Sequence, residues 1–275
     1  MEDESHYKIN HTIVSPSDTP SIPVPAATVL LVRDNNEKIE VFMLKRASRT
    51  NFGGAWVFPG GKLDVDDGLK DIADICFGLD DEEASKKLDM KEGGIHYWIA
   101  CIRECFEESG IILAYRTNGE LVSDISEEES KLINQYRKKL LKGEHVLLDM
   151  MNELNMQLAT DQLAYISHWI TPEIEKKRYN TRFFMAKSPA QKADHDGYEG
   201  VDSKWVNPEH ALQEMKQGKF PIIMPTIKSL EFVAKYKTTK DLLELNKKNT
   251  YKNIPTIEPK FIIENGKPKL VTSKN

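Results

Sequence analysis

With 275 residues, 40% hydrophobic and 29% charged, the chain is long enough for one large domain or two small ones with an ample buried core. Its formal net charge of −5, with no basic run denser than Lys138-Lys139 or Lys176-Lys177-Arg178, argues against indiscriminate binding to duplex nucleic acid. No apolar run approaches the roughly 20 residues of a membrane span, so no helical membrane protein is expected.

Residues 1–22 are polar and then rich in Ser and Pro, which predicts an extended lead-in, and the start Met1-Glu2-Asp3-Glu4-Ser5 does not have the form of a signal peptide. Two runs rich in Val, Ile and Leu, Ala26–Arg33 and Ile39–Leu44, flank Asp34-Asn35-Asn36 and predict a hairpin. Lys45, Arg46 and Arg49 follow beside Gly53-Gly54. Such cations either meet an anionic ligand or are simply solvated. The apolar run Trp56-Val57-Phe58 then ends in Pro59-Gly60-Gly61, where glycines permit a tight turn and close approach of a ligand or a following helix.

From Asp64 to about Tyr97 the composition is acidic and irregular and reads as an insertion, with a short helix near Asp81–Leu88 and an end at Gly93-Gly94. A helix over about His96–Ser109 follows, with Gly110 suited to stop it. Beyond it come a strand at Ile111–Tyr115, a turn at Thr117-Asn118-Gly119, a helix opened by Ser126-Glu127-Glu128-Glu129, and a second helix over about Glu144–Leu158. Ser167–Pro172, Thr181–Ala186 and Gly200–Val206 read as strands. Asn207 caps a short helix with Pro208 in its first turn, and Pro225 opens another to about Tyr236. The Lys-rich remainder, with its scattered prolines, offers no evident chemistry.

Cys76, Cys101 and Cys105 are an odd number without metal-site spacing, which predicts a reduced, intracellular chain in which Cys101 and Cys105 are buried as small apolar residues. The terminal Thr272-Ser273-Lys274-Asn275 misses the Ser-Lys-Leu address by its last residue, so a cytoplasmic protein is expected. His145 and His168 have no ligand-like partners at helical spacing and are expected on the surface or in the core.

Charge concentrates in Cys101-Ile102-Arg103-Glu104-Cys105-Phe106-Glu107-Glu108-Ser109-Gly110-Ile111. On a helix, Glu104, Glu107 and Glu108 share one face within about one turn. Such a face is commonly just a solvated surface. It is also a hard-oxygen site for magnesium or manganese, because like charges so placed repel until a cation sits among them.

Together, Gly61, the acidic turn after it and Arg103-Glu104-x-x-Glu107-Glu108-x-Gly110-Ile111 resemble the Nudix box of the Nudix hydrolases. The first half departs from the family pattern: the acid that follows Gly61 after five intervening residues is Asp67 rather than glutamate. Asp67 and Arg103 are 36 positions apart where the usual box has eight. A long insertion inside the box resembles the branch that includes the animal peroxisomal Nudix coenzyme A diphosphatase. His168-Trp169 with Thr171-Pro172, Arg178-x-x-Thr181-x-Phe183-Phe184 and the Trp205 strand before a proline-opened helix are similar to the same branch, over about residues 25–240. The stretch from Arg49 to Gly54 ahead of Phe58-Pro59-Gly60-Gly61 is similar to the signature associated with coenzyme A substrates.

The resemblance implies an α/β (α+β) Nudix fold, a mixed β-sheet sandwiched between helices. The Nudix unit would span 23–236, with an insertion at about 69–95 and a helical addition at about 126–160 forming a lid or substrate wall, followed by an extension over 237–275. It implies a metal-dependent diphosphatase acting on a nucleoside diphosphate linked to another moiety, coenzyme A or acyl-CoA foremost. Nucleotide sugars, dinucleotides, oxidised nucleotides and capped RNA ends are alternatives, as is a binding module without catalysis. By the same resemblance Glu104, Glu107 and Glu108 hold Mg2+ or Mn2+, Arg103 orients a carboxylate, and Gly60 and Gly61 with Arg46 and Arg49 face the substrate. The general base is a box glutamate or one from a later loop, for which Glu199 is the candidate. A small-molecule substrate and a homodimer complete these expectations.

Overall fold

The computed structural model describes residues 19–50, 52–248, 254–264 and 267–272, and side chains only for 19–50, 52–244 and 254–260. Most of the predicted lead-in therefore lies outside the described residues. Strands β1 (Val24–Asn35) and β2 (Lys38–Arg46) form the expected hairpin, in register from Val32 opposite Val41 to Asn35 opposite Lys38. Asn36 and Glu37 between them have φ of 47° and 63°. Left-handed backbone at both positions is what a two-residue hairpin loop requires.

In chain order there follow β3 (Trp56–Val57), β4 (Gly60–Lys62), the one-turn helix α1 (Lys70–Ala73), α2 (Asp81–Leu88) and α3 (Ile95–Ser109). Asp80 caps α2 by accepting from the Glu83 amide, and Gly110, at φ 75°, ends α3. Strand β5 is Ala114–Arg116; the buried residues Ile111, Ile112 and Leu113 lead into it without pairing as the expected strand. Helix α4 (Glu127–Leu140) starts on a full capping box between Ser126 and Glu129.

The expected single helix to Leu158 is instead α5 (Leu147–Glu153) followed by β6 (Met156–Leu158), which pairs with β5. Asn155 at φ 49° turns the chain out of helix between them. Then come β7 (Ala164–Ile170), β8 (Tyr179–Lys187), β9 (Gly200–Val206), α6 (Pro208–Lys216) and α7 (Met224–Val233). Asn207 accepts from the His210 amide at the start of α6, as expected. The Lys-rich remainder forms α8 (Thr239–Lys248), β10 (Thr256–Ile257) and the hairpin of β11 (Pro259–Glu264) and β12 (Lys267–Thr272).

The main sheet runs β10-β7-β8-β1-β2-β3, with β4 also on β1 and β9 also on β2. β1 lies parallel to β8 and antiparallel to β2, so the sheet is mixed as expected. Alternation sends the two faces of each strand into different cores. Ala27, Val29, Leu31, Phe42, Leu44 and Phe184 pack against α3, with α2, α4 and α5 around it. Leu30, Val32, Val41, Met43, Phe183 and Met185 pack against α6 and α7. Cys101 and Cys105 are buried in the first core, where desolvation raises both thiols. No helix among the described residues is long and apolar enough to cross a membrane.

Candidate active site

The box region is assembled around one guanidinium. Arg103 Nε donates to Asp67 Oδ1 at 2.9 Å and Nη2 to Asp67 Oδ2 at 3.0 Å, while Nη1 donates to Oε1 of both Glu104 and Glu107 at 2.9 Å. Nη2 also meets the Lys62 carbonyl at 2.8 Å, and Asp67 Oδ2 accepts from the Asp64 amide at 2.7 Å. Asp67 is only 1% exposed. The aspartate that departs from the family pattern thus makes a bidentate fork with the arginine, and the insertion loops out between the two partners.

Glycines bring the acids to the sheet. A Cβ at Gly61 would stand 2.4 Å from the Glu104 carboxylate, so the two segments meet only because that atom is missing. At Gly60 a Cβ would collide with the Ala27 carbonyl at 2.5 Å, and the Gly60 amide donates to Glu108 Oε2 at 2.8 Å. The glycine turn therefore fixes two carboxylates of α3, one by contact and one by hydrogen bond.

Burial raises all three glutamates, Glu104 to about 7, with Arg103 offsetting the effect at Glu104 and Glu107. Glu108 is pushed well above the carboxylate range by burial and by Glu104, against the opposing pull of the Gly60 amide and Arg46. Three desolvated carboxylates served by so little positive charge make a donor set that suits a hard divalent cation. Among the described residues no three such side chains converge in ligating geometry; Glu104 and Glu107 are both drawn to Arg103.

Glu104, Glu107 and Glu108 line a cavity of about 660 Å³ together with Gly60, Gly61, Arg46, Arg49 and Glu199. Arg46 Nη2 is 3.5 Å from Glu199 Oε2, and Arg49 donates to the Tyr198 carbonyl at 2.9 Å while its guanidinium lies 4.8 Å from the Tyr198 ring centroid. Lys45, the third cation of the expected group, lies over Trp56 instead. Arg103 stands behind the lining. The rest of the lining mixes the apolar and aromatic side chains Trp169, Ile170, Tyr179, Phe183, Ile223 and Met224 with Thr171, Glu175, Lys177 and Thr181.

The insertion at 69–95 contributes nothing to this lining and the addition at 126–160 only Leu141; Ile72, Ala84, Leu88, Ile133 and Leu140 pack in the core around α3. The tail is not idle. β10 pairs with β7, the Thr256 hydroxyl meets His168 at 2.8 Å, Glu258 accepts from Arg178 at 2.6 Å, and Pro259 reaches the cavity. Sequence reasoning also missed Asp196, for which the only signal was Asp196-Gly197 in a polar loop. His168 is buried, and His145 lies 3.1 Å from Asp66.

Comparisons with known proteins bear on the family and the fold. The family model described as the NUDT19 Nudix domain matches residues 68–232, more than half of the chain and inclusive of Arg103, Glu104, Glu107, Glu108 and Glu199. The chain is similar to the acyl-coenzyme A diphosphatase NUDT19 of Xenopus laevis, at 27% identity over 70% of this chain and 59% of that protein. It is also similar to a nudix hydrolase 7 of Caenorhabditis elegans, at 25% identity over 77% of this chain and 61% of that one. The chain thus spans about three fifths of the length of these two curated relatives. In fold it is similar to the crystal structure of a NUDIX hydrolase from Alicyclobacillus acidocaldarius, with a TM-score of 0.68 at 21% identity, over 82% of this chain and 96% of that one.

Proposed function

The chain belongs to the Nudix hydrolases, in the family of the NUDT19 Nudix domain, and on that premise we propose that it is a metal-dependent diphosphatase whose leading substrate is coenzyme A or an acyl-CoA. One observation carries the reading: three carboxylates on one turn of α3 and two arginines share a cavity whose lining also carries a set of apolar and aromatic side chains. A diphosphate joined to an apolar arm matches both sets. The name of the Xenopus relative, an acyl-coenzyme A diphosphatase, supports the same substrate class.

Glu104, Glu107 and Glu108 would hold Mg2+ or Mn2+, which supplies neutralisation of the diphosphate charge and a lowered pKa for the attacking water. Arg103 keeps Glu104 and Glu107 in place, and the Gly60 amide does the same for Glu108. Arg46 and Arg49 bind the phosphoryl oxygens. Glu199 takes the proton of the water that attacks phosphorus, while the bridging oxygen leaves with the other phosphate. From coenzyme A the products would be adenosine 3′,5′-bisphosphate and phosphopantetheine.

The test is a screen with Mg2+ and Mn2+ of coenzyme A, acyl-CoAs, NADH, ADP-ribose and nucleotide sugars, with products identified by mass. Turnover is expected to vanish with chelator and in Glu104→Gln and Glu108→Gln. Either variant within a few-fold of wild type would refute the metal assignment, and a flat coenzyme A response would displace the leading substrate. Glu199→Gln with unchanged turnover and pH profile would remove the base role.

A further inference from the structure

Arg137 does not line the cavity, yet its guanidinium joins two of the segments that supply the cavity's acids, α3 and the loop that carries Asp196 and Glu199. It sits half-buried on α4. Its Nε donates to the Glu107 carbonyl and its Nη2 to the Asp194 carbonyl, both at 2.9 Å. The first of these carbonyls belongs to the last turn of α3, whose C=O groups have no partner within the helix, and a cation there also meets the negative end of the helix dipole. The second belongs to the loop between β8 and β9. The Asp194 amide completes the seam by donating to the Ser109 carbonyl at 2.9 Å.

From that seam the loop runs directly into the site. Asp196 Oδ1 accepts from the amides of Tyr198 and Gly200, which shapes the turn, and the Glu199 carbonyl accepts from the Ala47 amide at 2.9 Å. Both Asp196 and Glu199 line the cavity. The mount for Arg137 is stiff: α4 begins on its capping box, Arg116 pairs with Glu129 at 2.7 Å, and Ile133, Tyr136 and Leu140 are buried.

We infer that Arg137 is a positioning residue for the reaction: its guanidinium sets the distance between the carboxylates of α3 and the loop that carries Asp196 and Glu199. This rests on the reading of the cavity as a hydrolytic site. It also gives the helical addition a role at the site without contact to substrate. Lysine, a point charge, cannot span two carbonyls in fixed directions as a planar guanidinium does, so charge alone does not substitute.

The experiment compares the full chain with Arg137→Lys and Arg137→Met by circular dichroism, steady-state kinetics with Mg2+ on the best substrate of the panel, and hydrogen exchange. Both variants are expected to fold, to lose roughly tenfold or more in kcat with KM within about twofold, and to exchange faster over 194–200 while α3 is unchanged. In Arg137→Met the limb of the pH–rate profile assigned to the base should shift as well. A kcat within twofold of wild type, even with a lowered Tm, would make Arg137 merely structural and overturn the inference. Unchanged exchange over 194–200 would overturn the anchor itself. A wild type that hydrolyses nothing in the panel would overturn the hydrolytic reading and the role in turnover together, while exchange would still decide the anchor.

Discussion

The charged and the apolar sets in the cavity lining are built by opposite strategies. At the charged end the three carboxylates of α3 come from one turn set against Gly60-Gly61, locked by Arg103 and by backbone that only glycine allows, with Arg46, Arg49 and Glu199 brought beside them. At the apolar end Trp169, Tyr179, Phe183, Met224 and Pro259 come from β7, β8, α7 and β11, held by sheet pairing and by the Arg178–Glu258 bridge. A rigid local device suits chemistry, where small misplacements are costly. A wall assembled from distant segments suits selection among substrates, since each segment can change without disturbing the others.

The most damaging way to break the charged end is to remove its hidden support. Asp67→Ala leaves Arg103 buried with half of its fork missing, which is expected to cost about 3 kcal/mol or more in a urea unfolding curve and roughly 10 °C in Tm. A cost under about 1 kcal/mol would mean that Glu104 and Glu107 suffice to hold Arg103. Gly61→Ala should leave a folded protein with turnover lowered about 100-fold, because the new Cβ displaces the Glu104 carboxylate. Near-normal kcat in that variant would contradict the close approach.

The apolar end should respond differently. Met224→Ala is expected to raise KM for an acyl-CoA by about fivefold with kcat within twofold, the mark of binding lost equally from ground and transition states. A fall in kcat alone would erase the distinction between the ends. A last effect is a pH dependence of stability that runs through His168, next to Trp169 in β7. His168 lies between Asn180 and Thr256, and burial, with Arg182 nearby, pulls its pKa from 6.5 down to about 4. The folded state binds the neutral ring, so its contribution is fully present above 6.5 and is lost as pH falls from 6.5 towards 4. Unfolding curves over that window should be steeper in pH for wild type than for His168→Gln; equal slopes would exclude the histidine.

The same contrast explains what could be read from sequence. The acidic turn of α3 and the glycine turn were legible because helical spacing and a missing Cβ are local properties, and so were the hairpin at Asn36 and the caps at Ser126 and Asn207. Asp67 was visible as an acid, but its partner was not, because a fork across 36 positions depends on how the insertion folds. Arg137 and Pro259 carried no signal at all, and Asp196 only that of a polar loop: each matters through segments that only the tertiary fold brings near. The helix expected to reach Leu158 failed for a related reason. Leu158 continues the helical stripe of Leu147, Met151 and Leu154, and with Met156 it also makes a strand face; only pairing with β5 decides between them.

The Asp67–Arg103 fork has a further consequence, for how such a domain can vary. Because the insertion leaves just after Asp67 and returns at the start of α3, the helix whose Arg103 is pinned to Asp67, it behaves as a module plugged into a fixed socket. Doubling the length of a flexible closed loop costs only about 0.6 kcal/mol in closure entropy. What binds the module is the apolar cover that Ile72, Leu79, Ala84 and Leu88 lay over α3. A replacement of quite different length that kept such a cover could be grafted between the same two side chains, leaving the carboxylates where they stand.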